Sequence, residues 1–384
     1  MRPMTEIAVI GAGMGGLVLA AALLRAGQAV TVYEQAPQLG ELGAGITLSP
    51  NAVRVIDWIG LGEQLRAIGF APDRQWTQHW RTGEVLRESF RGADFAARHG
   101  GSGYYHIHRA DLHALLVAAI PPSALRLGKA LVDVTSGGAM RFADGSTAVA
   151  DVVVGADGLK SAVRAARFGA DAPQFTGQVA WRGIVQVSAL PPEVQALPPG
   201  IHVGPQRLFL RYPVRGGALI NFAAFVELAG WEEESWSIAS TIAELSAHFA
   251  GWDPALLAII GAAPPGGLFK WALHAREPLP SWTSGCVTLL GDAAHAMLPF
   301  MGQGAATAIE DAAVLARCLV GFAPAEALAR YEGARLARTT TVQTQSRLLG
   351  LKLQGIDPAS IGRGPLQNEE ALGLFDYDAV TVPI

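Results

Sequence analysis

Ile7-Ala8-Val9-Ile10-Gly11-Ala12-Gly13-Met14-Gly15-Gly16, running into Leu17-Val18-Leu19-Ala20-Ala21-Ala22-Leu23-Leu24, decides the fold. The β-branched apolar run reads as a buried strand, the glycines as a turn and the Ala/Leu-rich segment as a helix. In Gly11-x-Gly13-x-x-Gly16 the first glycine permits a tight turn. The second lets backbone approach a pyrophosphate, and the third lets helix and strand pack closely. The helix N-terminus adds unpaired N–H groups and positive potential. A second apolar strand, Ala29-Val30-Thr31-Val32-Tyr33, ends in Glu34. An acid there, roughly 20 residues past the glycines, can accept the hydroxyls of an adenosine ribose. A bare glycine-rich turn of some other α/β protein would lack this agreement of strand, loop, helix, strand and acid, so the unit reads as dinucleotide-binding.

The 384 residues suffice for two interlocked domains, and with half of them hydrophobic and 16% charged a large core is easily supplied. A net charge of −4 without a basic block argues against nucleic acid as partner. Cys286 and Cys318 form neither a CxxC pair nor a metal-ligand spacing, which suits a reduced, cytoplasmic protein with both thiols in the core. The chain enters its first strand by Ile7, leaving no room for a signal peptide, and the first apolar helix is broken by Arg25 and Gly27, too soon to span a membrane.

Further along, Ser49-Pro50-Asn51 reads as a helix start. The 70–90 region reads as strands of a second sheet, and Arg109 as the junction between a strand and a helix. Val149 to Val154 reads as a buried strand ending at Gly155-Ala156-Asp157-Gly158, followed by a helix carrying Lys160 and Arg164. Residues 175–285 read as strand-rich, with a hairpin turn at Arg215-Gly216-Gly217 and a helix near 238–249. Cys286 to Leu290 reads as another buried strand, ending at Gly291-Asp292-Ala293-Ala294-His295, and Met301-Gly302-Gln303-Gly304-Ala305 opens a long helix. The fold class expected is α/β: a Rossmann-like dinucleotide-binding domain of three separated pieces (1–70, 98–170 and 286–350). A mainly β substrate domain (71–97 and 171–285) is inserted, and 351–384 forms a C-terminal tail.

Three motifs in order, Gly11-x-Gly13-x-x-Gly16 with Glu34, Gly155-Ala156-Asp157-Gly158 and Gly291-Asp292-Ala293-Ala294-His295, resemble the class A FAD-dependent aromatic hydroxylases, whose fold is that of para-hydroxybenzoate hydroxylase. Tyr105 to His113, Tyr212 to Gly217 and Pro299 to Ala305 are similar to salicylate hydroxylase, 3-hydroxybenzoate 6-hydroxylase and 6-hydroxynicotinate 3-monooxygenase. The resemblance spans about residues 5–340. It implies an NAD(P)H- and FAD-dependent monooxygenase that uses O2 on a small aromatic, either a salicylate-like phenolic acid or a hydroxylated N-heterocycle. NADH or NADPH would be a transient electron donor, and the protein a monomer or homodimer.

The resemblance also implies the site. Gly13 and Met14 would line the FAD pyrophosphate and Glu34 would hold the adenosine ribose, with Gly11, Gly16, Gln35 and Val132 also in the cofactor site. Thr47 would run beside the isoalloxazine, and Arg109 would hold pyrophosphate with its guanidinium fork. Asp292 would hold the ribityl or pyrophosphate end, and Asp157 would belong to a fingerprint shared by FAD and the nicotinamide. The N–H groups of Gly304 and Ala305 would face the flavin pyrimidine ring. Tyr104 and Tyr212 would be catalytic, with Leu208, Met297, Pro299 and Phe300 around them. Plainer readings are helix capping for Asp157 and Asp292, core packing for the tyrosines, and structural roles for His106, His108 and His113, which no acid or Cys completes into a metal site.

Two positions depart from the pattern. Leu208 stands where relatives carry a His that deprotonates the phenol, and Ala296 stands where they carry Pro. Leucine takes no proton, so Tyr212, Tyr104, water or an already activated ring would have to serve. The alternatives are a flavin oxidase or reductase on the same fold, or an uncoupled or degenerate flavin-binding protein. Arg182 and Arg211 are both candidates for a substrate carboxylate, and alternation along a strand leaves open which points inward.

Overall fold

The opening apolar run forms the strand Glu6–Ile10, and parallel pairing on both sides makes it the middle of a sheet. The computed structural model describes residues 5–40, 44–169, 173–228, 230, 238–355 and 369–384. In spatial order this six-stranded sheet runs Thr283–Ser284, Val287–Leu289, Val152–Gly155, Glu6–Ile10, Ala29–Tyr33 and Leu125–Arg126. All pairs are parallel except the first. Continuous Val/Ile runs are what a sheet covered on both faces requires. The helix Met14–Arg25 is almost wholly buried, lying between the sheet and the helix Gly304–Gly321. Gly15 makes that packing possible, because a Cβ there would lie 2.4 Å from Leu290 Cδ2 and 3.2 Å from Ala308 Cβ.

The second sheet has eight strands, ordered Ile238–Ala239, Phe269–Ala275, Gln174–Gln186, Leu219–Glu227, Arg207–Val214, Gly200–Gly204, Arg74–His79 and Val85–Phe90. Its central hairpin turns at Arg215–Gly217. Side chains alternate along each strand. Val179, Trp181, Phe209 and Phe222 pack on the helices Ile242–His248 and Pro254–Gly261. The opposite face carries Ala180, Leu208 and Phe225, which pack with Leu298 and Phe300, and Tyr212 and Asn221, which meet the strand Gly45–Leu48. Gly45 is small for that reason: a Cβ would lie 2.5 Å from the Tyr212 ring and 2.6 Å from the Asn221 side chain. Gly45–Leu48 pairs with Tyr105–His108 in a separate two-stranded sheet, and this contact seats that ribbon on the eight-stranded sheet.

Five elements differ from the sequence expectation. The strand expected from Val149 begins only at Val152, and Val149 ends a separate hairpin strand, Thr147–Val149, where it is exposed. The single helix near 238–249 is a short strand followed by Ile242–His248, and a further helix, Pro254–Gly261, follows. That helix is apolar on every side, so periodicity could not reveal it. Asp253 caps it by accepting from Ala255 N (3.0 Å). Lys160 lies in the turn ahead of the helix Ala162–Phe168 rather than on it. The helix Pro324–Gly355 continues past residue 350, and residues 369–384 carry one short 3-10 turn, Leu374–Asp376. The rest of the tail, 356–368, lies outside the described residues. Among the described residues no helix is long and apolar enough to cross a membrane.

Candidate cofactor and substrate site

The three glycines of the first motif have different physical causes. Gly11 sits at φ +105° with its N–H donating to Tyr33 O (2.7 Å), and a Cβ would lie 2.5 Å from Ala156 O. A Cβ on Gly16 would lie 2.2 Å from Gly11 O. The fold itself demands both. Gly13 has ordinary extended backbone (φ −74°, ψ 179°), and a Cβ there would meet nothing closer than Ala156 O at 3.9 Å. A cradle open at the start of a helix, next to a buried Met14, fits a pyrophosphate. Glu34 reaches back to this loop, its two carboxylate oxygens accepting from Ala12 N (2.8 Å) and Ala36 N (2.9 Å). His113, one of the three histidines read as structural, holds the loop from behind through Nε2 and Ala12 O (2.8 Å).

The remaining cofactor candidates lie around this loop in part. Gln35 is exposed beside Glu34, whose carbonyl accepts from Lys129 N (2.8 Å), and Val132 is half-exposed on the next strand, Leu131–Val134. Asp157 serves as a cap: its oxygens accept from Ser161 Oγ (2.5 Å) and Val163 N (3.1 Å). Arg164, buried, ties this turn to the third motif by donating to Leu159 O (2.7 Å) and Ala293 O (3.0 Å). Asp292 opens into a cleft: its surface is solvent-accessible, yet the surrounding protein pushes its carboxyl up, opposed by His295, Arg109, Arg276 and Arg164. Arg109 opens its helix with its N–H on Ala44 O (2.8 Å). Gly304 opens the long helix, where a Cβ would meet only Met297 Cγ at 3.9 Å, and Gly302 at φ +61° lies against Thr47.

The two tyrosines meet across a histidine. The rings of Tyr212 and His106 are 4.6 Å apart, and those of Tyr104 and His106 are 5.7 Å apart, edge to face. His106 is fully buried, and burial with the nearby Arg91 charge lowers it to about 3, so it stays neutral. Its Nε2 accepts from Gln75 Nε2 (3.1 Å). The Tyr104 hydroxyl bonds with Thr47 and Gln75, while burial and the Glu369 charge push its pKa up. Burial, with Tyr104 beside it, pushes the Tyr212 phenol up as well. Both are therefore donors near neutral pH and not bases. Leu208 and Phe300 belong to one apolar cluster, Met297 and Tyr104 to another, and Pro299 is exposed between them. The register separates the two arginines. Arg182 shares a row with Ala223 and Leu210 on the Tyr212 face. Arg211 lies on the reverse face, donating to Gln78 Oε1 (2.7 Å) and Pro198 O.

Behind the motif turns lies a buried ionic network that the sequence reading missed. Arg335 pairs with Glu310 Oε2 and Asp311 Oδ1, both at 2.7 Å, and all three residues are fully buried. Arg338 grips Glu310 with two bonds (2.8 and 2.7 Å). Asp311 Oδ2 accepts from His295 Nε2 (2.5 Å) and Gly291 N (3.1 Å). Asn51 Nδ2 donates to Glu310 Oε1 (2.6 Å) and Gln303 Oε1 (3.2 Å). The available signal was Glu310-Asp311, two adjacent acids inside an otherwise apolar helix. Charges in such a place are paired.

Residues 4–346 match the model of a family described as FAD binding domain. The chain belongs to that family. This flavoprotein is similar to the 6-hydroxynicotinate 3-monooxygenase of Pseudomonas fluorescens, at 39% identity over 100% of this chain and 98% of that one. It is also similar to a 3-amino-4-hydroxybenzoate 2-monooxygenase of Streptomyces platensis, at 42% identity over 90% of this chain and 87% of that one. Among solved structures, Klebsiella pneumoniae HpxO complexed with FAD and uric acid matches with a TM-score of 0.85 and 28% identity, covering 97% of this chain and 96% of that one. The flavoprotein is an FAD-dependent aromatic monooxygenase with the fold that the three motifs implied.

Proposed function

We propose that the chain hydroxylates a small aromatic ring activated by an amino group or by a heterocyclic lactam, in the manner of a hydroxynicotinate or aminohydroxybenzoate. The observation that carries this is Leu208, buried in an apolar cluster where a base is expected, with Tyr212 four residues on along the same strand face and, like Tyr104, held protonated. A site without a base suits a ring that an amino group or a heterocyclic lactam already makes electron-rich. FAD bound here would take two electrons from NADH or NADPH and use them to activate O2, one oxygen atom going to the ring and the other leaving as water. Gly13 and the start of the Met14–Arg25 helix would take the pyrophosphate, Glu34 the ribose, and Arg109 and Asp292 the middle of the cofactor. Gly304 and Ala305 would face the ring end. Tyr212 and Tyr104 would donate hydrogen bonds to the ring substituents, and Leu208, Met297 and Phe300 would exclude water. Residues 1–70, 98–170 and 286–350 would carry the cofactor, and 71–97 and 171–285 the substrate.

The test is oxidation of NADH and NADPH by the FAD-loaded protein across 6-hydroxynicotinate, 3-amino-4-hydroxybenzoate, salicylate and 3-hydroxybenzoate, with product and H2O2 quantified together. Stoichiometric product with the first two and little with the last two is expected. Product from the plain phenolic acids alone would contradict the reading. Leu208→His should then raise turnover of salicylate, with a new limb in the pH profile near the ordinary imidazole value.

A further inference from the structure

Glu310 lies six residues after Gly304 on the same helix, about 9 Å along its axis at ~1.5 Å per residue. Two buried carboxylates on that helix would by themselves lower the positive potential at its N-terminal end. Arg335 and Arg338, from the Pro324–Gly355 helix, neutralise them. The same carboxylates continue to both ends of the flavin-facing wall. Asp311 holds Gly291 N and His295, and Glu310 reaches Gln303, the residue that starts the helix, through Asn51.

We propose that Arg335 is a positioning residue for the flavin: from a helix outside the three motifs it sets the electrostatic potential at the Gly304 end and the placing of the Gly291-Asp292 turn, acting through Glu310 and Asp311. The proposal rests on the cofactor reading above, in which the ring end of FAD lies at Gly304. It makes a signed claim. Removing the cation exposes the wall to carboxylate charge and disfavours electrons on the flavin. Removing a carboxylate does the reverse.

The measurement is the reduction potential of bound FAD against a reference dye, with FAD affinity and melting temperature taken in parallel. Arg335→Gln is expected to move the potential more negative and Asp311→Asn more positive. The double variant should return close to the parent, because the pair is lost as a neutral unit. FAD affinity should fall roughly 2- to 30-fold in the single variants, the span expected of residues that modulate a site without touching the ligand. Arg335→Gln leaves buried carboxylate charge uncompensated and can fail to fold. Glu310→Gln and Arg335→Lys then carry the test, the first expected to shift the potential positive and the second to leave it unchanged. Shifts of one sign in variants of opposite charge, or an unchanged potential with a lowered melting temperature, overturn the proposal. The parent reading is checked separately by Gly13→Val. If that variant takes up FAD as the parent does, the cofactor reading fails and the proposal falls with it. If it does not, the signed shifts judge the positioning role alone.

Discussion

Gly11 and Gly13 are two residues apart and identical in sequence, yet only one is required by the protein. Gly11→Ala puts a Cβ 2.5 Å from a carbonyl at φ +105°, so it should lower stability whether or not FAD is present. A Cβ at Gly13 meets only Ala156 O at 3.9 Å, so Gly13→Ala should cost the apoprotein much less than Gly11→Ala while weakening FAD uptake. Thermal melts with and without FAD would separate the two, and equal destabilisation of both apoproteins would contradict this assignment. At the same scale, His106 gives a pH signature. Its folded pKa is depressed to about 3, below the unfolded value near 6.5. Between these values the unfolded chain binds a proton that the folded chain does not. Stability is therefore undiminished by His106 above about pH 6.5, and falls as pH drops toward 3 at about 1.4 kcal/mol per pH unit. Denaturant titrations of the parent and His106→Gln should differ in slope by about one proton within that window and not above it.

At the scale of elements, the three motif turns are locked by capping and by ions as much as by glycine. Ser161 is the N-cap of Ala162–Phe168, and Asp157 supports the same end. Ser161→Ala should cost about 1 kcal/mol, the usual loss for an N-cap. If Asp157 acts here chiefly as a cap, FAD affinity should be nearly unchanged in that variant. A large loss of FAD affinity would mean that the turn itself is part of the cofactor site. The Gly45–Leu48 strand is the second case. Asn221 Oδ1 accepts from Gly45 N (2.6 Å) and Tyr212 covers the missing side chain, so strands up to 176 residues apart in sequence depend on one glycine.

For the whole molecule, the C-terminal segment 369–384 acts as a strap. Phe375 is buried among Phe95, His99 and Tyr104, and Glu370 pairs with Arg91 (2.8 Å). Asp376 pairs with His99 (2.8 Å), and Arg54 and Arg317 hold backbone carbonyls of the strap. The strap backs the cluster containing Met297, Met301 and Tyr104. Phe375→Ala should therefore cost about 3–5 kcal/mol and raise the KM for substrate. A stability loss with KM untouched would show that the strap supports the fold but not the pocket.

The sequence by itself determined the elements whose cause is local. Strand, glycine turn and helix at 7–24, the acid after the second strand, and the two later turn motifs are each written within a few residues, because backbone conformation and strand burial are short-range demands. Only the tertiary structure decided what depends on register and on distant partners. Nothing near Arg182 or Arg211 says which faces Tyr212, since a one-residue change of register exchanges the faces of a strand. His113 reads as structural from the sequence, but its partner, Ala12 O, is 101 residues away and is named only by the fold. The pairing of Glu310 and Asp311 with Arg335 was decided only by the fold, because ion pairs between separate helices leave no spacing to read. Their burial follows from the packing of the Gly304–Gly321 and Pro324–Gly355 helices, and a charge stays in such a place only when its counter-charge arrives with the fold.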